Sequence, residues 1–246
     1  MSLGLTFLSL FVVFIAVYWI GQLRGHRREH TGASETPAAA LLGLLALLLA
    51  FSFAMAISRY DMRRDLEVRD ANSIVTLYLR AGILPAPIAR EFRSVLSKYT
   101  EDRLQFFSAH AGSPLLQEAE AKSKQVQLKL WEMAESHARD DGSAVSALLL
   151  SGLNEMIDLD AARLDAMENR LPPTLLALIW VVGACSLFTL GYADSSKQKQ
   201  PWYWHCLMPL LFAVVISALY DLDTPRRGLI RSNDEAMIMV HRELDR

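Results

Sequence analysis

Four stretches of this chain contain no Asp, Glu, Lys or Arg: residues 3–20, 38–57, 174–192 and 202–220. Each has about 18 or more consecutive apolar or uncharged positions, enough at 1.5 Å per residue to cross a hydrocarbon core about 30 Å thick. A segment in lipid must satisfy its own backbone hydrogen bonds, so each run is restricted to an α-helix. The 246 residues are 52% hydrophobic and 21% charged. Those averages conceal the segregation, because nearly all the charge lies between the runs. The first run is read as a retained span rather than a cleaved leader. No basic residue precedes it, and Tyr18-Trp19-Ile20 stands where a small-residue cleavage site belongs. Aromatic residues there suit a membrane–water interface.

The domain organisation follows from the runs. Residues 1–57 hold the first two spans, 58–173 an extramembrane insert continuous with the second span, 174–220 the last two spans, and 221–246 a tail. The expected fold class is all-α: a polytopic membrane protein with four transmembrane helices and a helical cytoplasmic domain. Orientation comes from Lys and Arg near span ends. Arg59, Arg63, Arg64, Arg69, Arg163, Arg170, Arg226, Arg227 and Arg231 lie on the side of the termini and the insert. Arg24, Arg27, Arg28, Lys197 and Lys199 lie in the two short loops. That excess places the insert and both termini in the cytoplasm.

The insert shows helical periodicity and no period-two alternation. Residues 58–80 lack Gly and Pro, so the second span is expected to run on as one helix over 38–80, ending at Gly82 and Leu84-Pro85-Ala86-Pro87. A helix over 88–110 follows, then one opened by Ser113-Pro114. In that helix Leu116, Ala119, Ser123, Val126, Leu130, Met133 and His137 alternate spacings of three and four, a seam for a neighbouring helix. Asp141-Gly142-Ser143 breaks and recaps the chain, and Leu171-Pro172-Pro173 ends the last insert helix.

The second span has two faces. Ala39, Gly43, Ala46, Ala50 and Ala54 fall within about 80° of arc, as do Leu45, Leu48, Ser52, Met55 and Arg59 on the other side. In one reading the small ridge packs inside the subunit, the Leu face meets lipid and Arg59 snorkels to the headgroups. In the other, copies of the span surround a pore. Leu48 and Met55 then form an apolar constriction, while Ser52, Arg59 and Arg63 offer donors to an anion.

No zinc spacing, P-loop, GxGxxG or GxSxG pattern occurs, and the six histidines lack metal-ligand spacing. No metal, cofactor or enzymatic activity is therefore expected, and nothing points to nucleic acid. Cys185 and Cys206 lie in or beside spans and read as packed thiols rather than a disulfide framework. Asp221 and Asp223, two residues apart, form either part of a cation site or a salt-bridge clamp, with Arg226 and Arg227 facing anionic headgroups.

Three segments together carry a resemblance. They are Phe53-Ala54-Met55-Ala56-Ile57-Ser58-Arg59-Tyr60-Asp61-Met62-Arg63-Arg64, residues 67–85 with Tyr78-Leu79-Arg80-Ala81-Gly82, and Asp221-Leu222-Asp223-Thr224-Pro225-Arg226-Arg227-Gly228. With them the chain resembles the bacterial bestrophin-like family of four-span membrane proteins, and more distantly the bestrophin chloride channels. The resemblance implies a homo-oligomer, a pentamer by analogy, in a bacterial inner membrane. It further implies a pore along the second span that passes small inorganic ions. Two departures stand out. Leu48, Ser52 and Met55 match the bulky apolar neck of bestrophins only loosely. The dispersed Asp221, Asp223, Asp234 and Glu235 do not form the dense acidic run of the bestrophin calcium clasp. The alternative is a membrane-anchored scaffold or signalling module that binds a partner through the seam from Leu116 to Met133.

Overall fold

The computed structural model describes residues 3–26, 35–108, 114–195, 202–224 and 235–244. Among them every regular element is a helix: α1 (Leu3–Gly25), α2 (Glu35–Ala81), α3 (Ala86–Ser108), α4 (Pro114–Asp140), α5 (Ala144–Glu168), α6 (Pro173–Asp194), α7 (Trp202–Asp223) and α8 (Glu235–Leu244). Four helical stretches are long and apolar enough to cross a membrane, and they carry the four charge-free runs of the sequence. The second run does continue past the membrane. α2 is 47 residues long, about 70 Å at 1.5 Å per residue.

The chain divides into two compact units, Met1–Tyr60 with Arg170–Ile230, and Asp61–Asn169 with Arg231–Arg246. The first contains α1, the first half of α2, α6 and α7. Its core is built from Leu10, Phe14 and Tyr18 of α1, Leu45 and Ala56 of α2, Ile179 and Leu187 of α6, and Ala213, Ile216 and Leu219 of α7. α1 and α6 approach to backbone contact. A Cβ placed on Gly21 would overlap the carbonyl oxygen of Phe188, and one on Gly191 would overlap that of Tyr18. Helices in lipid gain nothing from hiding apolar surface from water, so close packing over small residues holds them together. Hydroxyls within the unit bond back along their own helices, Ser52 to the Leu48 carbonyl (2.7 Å) and Ser186 to that of Val182 (2.7 Å). Pro209 lies inside α7. Lacking an N–H, it leaves the carbonyl of His205 without a ladder partner.

The second unit contains the rest of α2 with α3, α4, α5 and α8. Ala71, Ile74 and Leu77 of α2 meet Phe92, Leu96 and Tyr99 of α3, Leu130 of α4, and Leu149, Leu153 and Met156 of α5. Residues 221–246, read from the sequence as one tail, divide. α7 runs to Asp223, whereas α8 buries Met237, Val240 and Leu244 in the core of the second unit. At the start of α5, Ser143 holds the N-cap position but donates its hydroxyl to Asp141 Oδ2 (2.9 Å) rather than to the helix.

Candidate functional site

α2 is the element that joins the membrane spans to the insert, and its two faces differ along its whole length. At 100° per residue, Leu45, Ser52, Ala56, Arg63, Asp70, Ile74 and Leu77 fall within about 60° of arc, and all are buried. This inner stripe is apolar through Ala56, charged from Arg63 to Asp70, and apolar again to Leu77. The opposite stripe is open. Leu47, Phe51 and Met55 are 53%, 63% and 39% exposed, and Ser58 continues their line. The small ridge is open as well. Ala46, Ala50 and Ala54 are exposed, and a Cβ on Gly43 would meet nothing within 4 Å.

This placement separates the five residues assigned to an ion pathway from sequence. Ser52 has no exposure, and Leu48 packs partly buried against the core of the first unit. Arg63 is also buried. Within the single chain, then, Ser52 and Arg63 are enclosed and Leu48 is partly covered. Met55 remains on the open side. Arg59 is half-buried, and its Nη1 is enclosed without a hydrogen-bond partner. Of the face that carries Leu45, Leu48, Ser52, Met55 and Arg59, the first three pack toward the core of the first unit, Met55 is open and Arg59 half-buried, while the small ridge is exposed in the single chain.

The charged section of the inner stripe leads to a buried cluster in the second unit. Asp70 of α2 accepts from Arg163 Nη1 of α5 at 2.8 Å and lies 3.9 Å from Arg103 Nη2 of α3. Arg103 also pairs with Asp160 of α5, whose Oδ2 accepts from Gln127 Nε2 of α4 at 2.6 Å. The Arg103 guanidinium lies over the Phe106 ring. Two carboxylates thus face two guanidiniums, which keeps the quartet neutral. Burial lifts the Asp70 carboxyl above the ordinary carboxylate range, while Arg103 and Arg163 pull it down.

At the end of α7, Asp223 is buried and accepts the N–H of Leu171 at 2.7 Å. That bond fastens the segment entering α6 to the last turn of α7. Asp221 is buried beside it, while Arg226 and Arg227 lie outside the described residues. No group of three or more His, Cys, Asp or Glu side chains is arranged to hold a metal among the described residues. The seam on α4 is occupied within the chain. Ala119, Ser123 and Leu130 are buried, with Val126 and Met133 packed against the same core. Most of the face that a scaffold would present to a partner is therefore already covered.

The order of the helices, the spans and the long α2 can be set beside known proteins. The Bestrophin-like domain matches this chain over residues 5–237. The chain belongs to the bestrophin-like family. Solved structures share its fold. A tryptophan-to-alanine variant of a bacterial bestrophin homologue from Klebsiella pneumoniae superposes with a TM-score of 0.73 at 15% identity, covering 99% of this chain and 97% of that one. An isoleucine-to-threonine variant of the same homologue gives 0.71 at 17% identity, covering 100% of both chains. Its zinc-phased form gives 0.67 at 17%, covering 98% and 95%. No curated protein sequence matches the chain. Known members of the bestrophin-like family are ion channels.

The features not read from sequence are the exposure of Leu47 and Phe51 beside Met55 and the quartet around Asp70. A signal for the first was present. Ala71, Ile74 and Leu77 had to face a water-soluble core, and extending their side of the helix back by 100° per residue reaches Leu45 and Ser52, not the opposite face.

Proposed function

We propose that this protein is a homo-oligomeric ion channel, anion-conducting, whose permeation path follows the open stripe of α2. The observation that carries the reading is the division of α2 into an inner stripe enclosed by its own chain and an opposite stripe of bulky apolar side chains left open. Leu47, Phe51 and Met55 recur every four residues on that stripe. Repeated around a symmetry axis, they form an apolar constriction of the kind that gates by dewetting. Arg59, four residues beyond Met55, is half-buried toward the inner side of α2, and its guanidinium places a positive charge at the end of the constriction. A guanidinium stays ionised at any physiological pH, so it concentrates anions there. Leu48, Ser52 and Arg63 take a supporting role behind the lining.

A pentamer in a bacterial inner membrane, with both termini and the second unit cytoplasmic, fits the family and the excess of Lys and Arg on that side. Chloride is the ion that the resemblance to bestrophins favours. The segment Asp221 to Arg227 is assigned a clamp role rather than a cation site, supported by the bond from Leu171 to Asp223.

The test is reconstitution in planar bilayers with asymmetric chloride. Arg59→Glu is expected to reduce or invert the anion preference. A reversal potential unchanged from wild type removes Arg59 from the pathway, and absence of single-channel currents in the wild type overturns the channel reading.

A further inference from the structure

The open stripe of α2 does not end with its apolar side chains. The helix is uninterrupted from Glu35 to Ala81, so one line can be followed along its whole length. At 100° per residue, Leu47, Phe51, Asp65, Arg69, Asn72 and Thr76 fall within about 60° of arc, and all six are exposed in the single chain. The stripe is apolar where the span is free of charge and polar beyond it. Asp65 stands eight residues past Ile57, the end of the charge-free run, which is about 12 Å further along the helix axis.

The neighbouring charges of α2 lie on other lines. Arg63, Glu67 and Asp70 are buried. Arg59 stands about 80° round from Arg69 on their side, while Asp61 and Arg64 stand about 80° and about 140° round the other way. Asp65 and Arg69 are therefore the charges carried on the open line itself. Asp65 Oδ2 lies 3.7 Å from Arg69 Nη1, and the two side chains are 68% and 59% exposed. That separation is longer than a hydrogen bond. The carboxylate thus tempers the charge of the guanidinium without engaging that donor. Both groups meet water, where a unit charge still biases an ion about 6 Å away by about threefold.

We propose that Asp65 and Arg69 form a two-charge selectivity filter on the permeation path, in which Arg69 meets the small inorganic anion and Asp65 limits its pull. The inference rests on the reading of α2 as the lining of a homo-oligomeric channel. Repeated around the symmetry axis, the pair becomes a ring of carboxylates and a ring of guanidiniums about 6 Å apart along the helix. Rings of charged side chains select ions by sign, carboxylates favouring cations and guanidiniums anions. Here the two rings are adjacent, so each holds the other in check and the wild-type preference is moderate. Asn72 and Thr76 continue the lining without charge and leave the balance to the pair.

Reversal potentials of the full-length protein in planar bilayers under a potassium chloride gradient test this. Asp65→Asn frees the guanidinium and is expected to raise the chloride-to-potassium permeability ratio by about threefold. Arg69→Gln leaves the carboxylate alone and is expected to lower the ratio by about the same factor. The two substitutions together are expected to restore the wild-type ratio, and Arg64→Gln, off the stripe, to leave it unchanged. An exposed pair of this kind contributes little to stability, so the variants are expected to elute from size exclusion like wild type. A second measurement does not depend on comparing variants. Arg69→Cys is treated during recording with a cationic or an anionic thiosulfonate reagent, against a wild-type control that keeps Cys185 and Cys206. The ratio is expected to move with the sign of the added charge. Wild-type currents with ratios that move in neither Asp65→Asn nor Arg69→Gln overturn the filter and leave the path along α2 standing. A shift in Arg64→Gln as large as that in Arg69→Gln overturns it too. Absence of wild-type currents overturns the channel reading, and the filter with it.

Discussion

The two units of this chain solve the same packing problem with different materials. In the membrane unit, α1 and α6 meet backbone to backbone at Gly21 and Gly191, and the buried hydroxyls of Ser52 and Ser186 turn back onto their own helices. In the second unit, α2, α3, α4 and α5 are joined by large side chains, including Phe92, Leu96, Tyr99 and Leu153, and by the Asp70–Arg103–Asp160–Arg163 quartet. Water accounts for the difference. In the aqueous unit, burying apolar side chains is itself stabilising, and that surplus offsets the cost of enclosing four charges. In lipid that surplus is missing, so contact has to come from small residues and close fit. α2 crosses from one regime to the other, and its inner stripe changes from Leu45, Ser52 and Ala56 to Arg63 and Asp70 as it does so.

The quartet gives the largest effect by which this contrast can be broken. Arg103→Met leaves Asp70 and Asp160 facing Arg163 alone, and removing one partner of a buried ion pair costs about 3–5 kcal/mol. Denaturant unfolding of the second unit measures it. The pH dependence has a definite sign. Burial already raises the Asp70 carboxyl, and Arg103 is one of the two groups that lower it. Without Arg103 the folded-state value rises further. A raised carboxyl contributes stability at low pH that is lost as pH rises through the folded value. The defect in Arg103→Met is therefore expected to shrink on acidification from neutral pH. A defect that grows instead contradicts the account of the quartet.

The matching test in the membrane unit is Gly191→Val. The added side chain has no space against the carbonyl of Tyr18, and overpacking of this kind costs about 1–3 kcal/mol. Its thermal midpoint in detergent is expected to fall, while Gly43→Ala, where a Cβ meets nothing within 4 Å, leaves the single subunit unchanged. If both substitutions are equally mild, close α1–α6 packing is not what holds the unit together.

Much of the architecture was legible because the governing physics is local. Charge-free runs located the spans, and the absence of Gly and Pro from 58–80 carried α2 into the second unit. The resemblance on Arg59-Tyr60-Asp61 and Asp221-Leu222-Asp223 led to the right family. The facing of the α2 span was not legible in the same way. In lipid, Leu45 inside and Leu47 outside are equally apolar, so no polarity contrast marks which side meets the protein. The contrast exists only beyond the membrane, where Ile74 is buried and Leu79 exposed, and the phase has to be carried back from there. The buried quartet was harder still. Asp70, Arg103 and the Asp160–Arg163 pair come from three helices far apart in sequence, and each looks like an ordinary surface charge until tertiary contact brings them together.

The smallest stability effect is also the one that separates lining from packing. Phe51→Ala removes a ring that is 63% exposed in the single chain, whereas Leu45→Ala removes a side chain that is 2% exposed in the core of the unit. A buried leucine leaves a cavity, at about 2–5 kcal/mol in water-soluble cores, so Leu45→Ala is expected to lower the unfolding midpoint markedly. An exposed position away from packing changes stability by roughly 0.5 kcal/mol or less, so the isolated Phe51→Ala subunit is expected to unfold like wild type. In bilayer recordings the order reverses: widening an apolar constriction favours its hydration, so Phe51→Ala raises conductance or open probability. A Phe51→Ala channel with wild-type currents places Phe51 against lipid and moves the lining to the small ridge of Gly43, Ala46, Ala50 and Ala54.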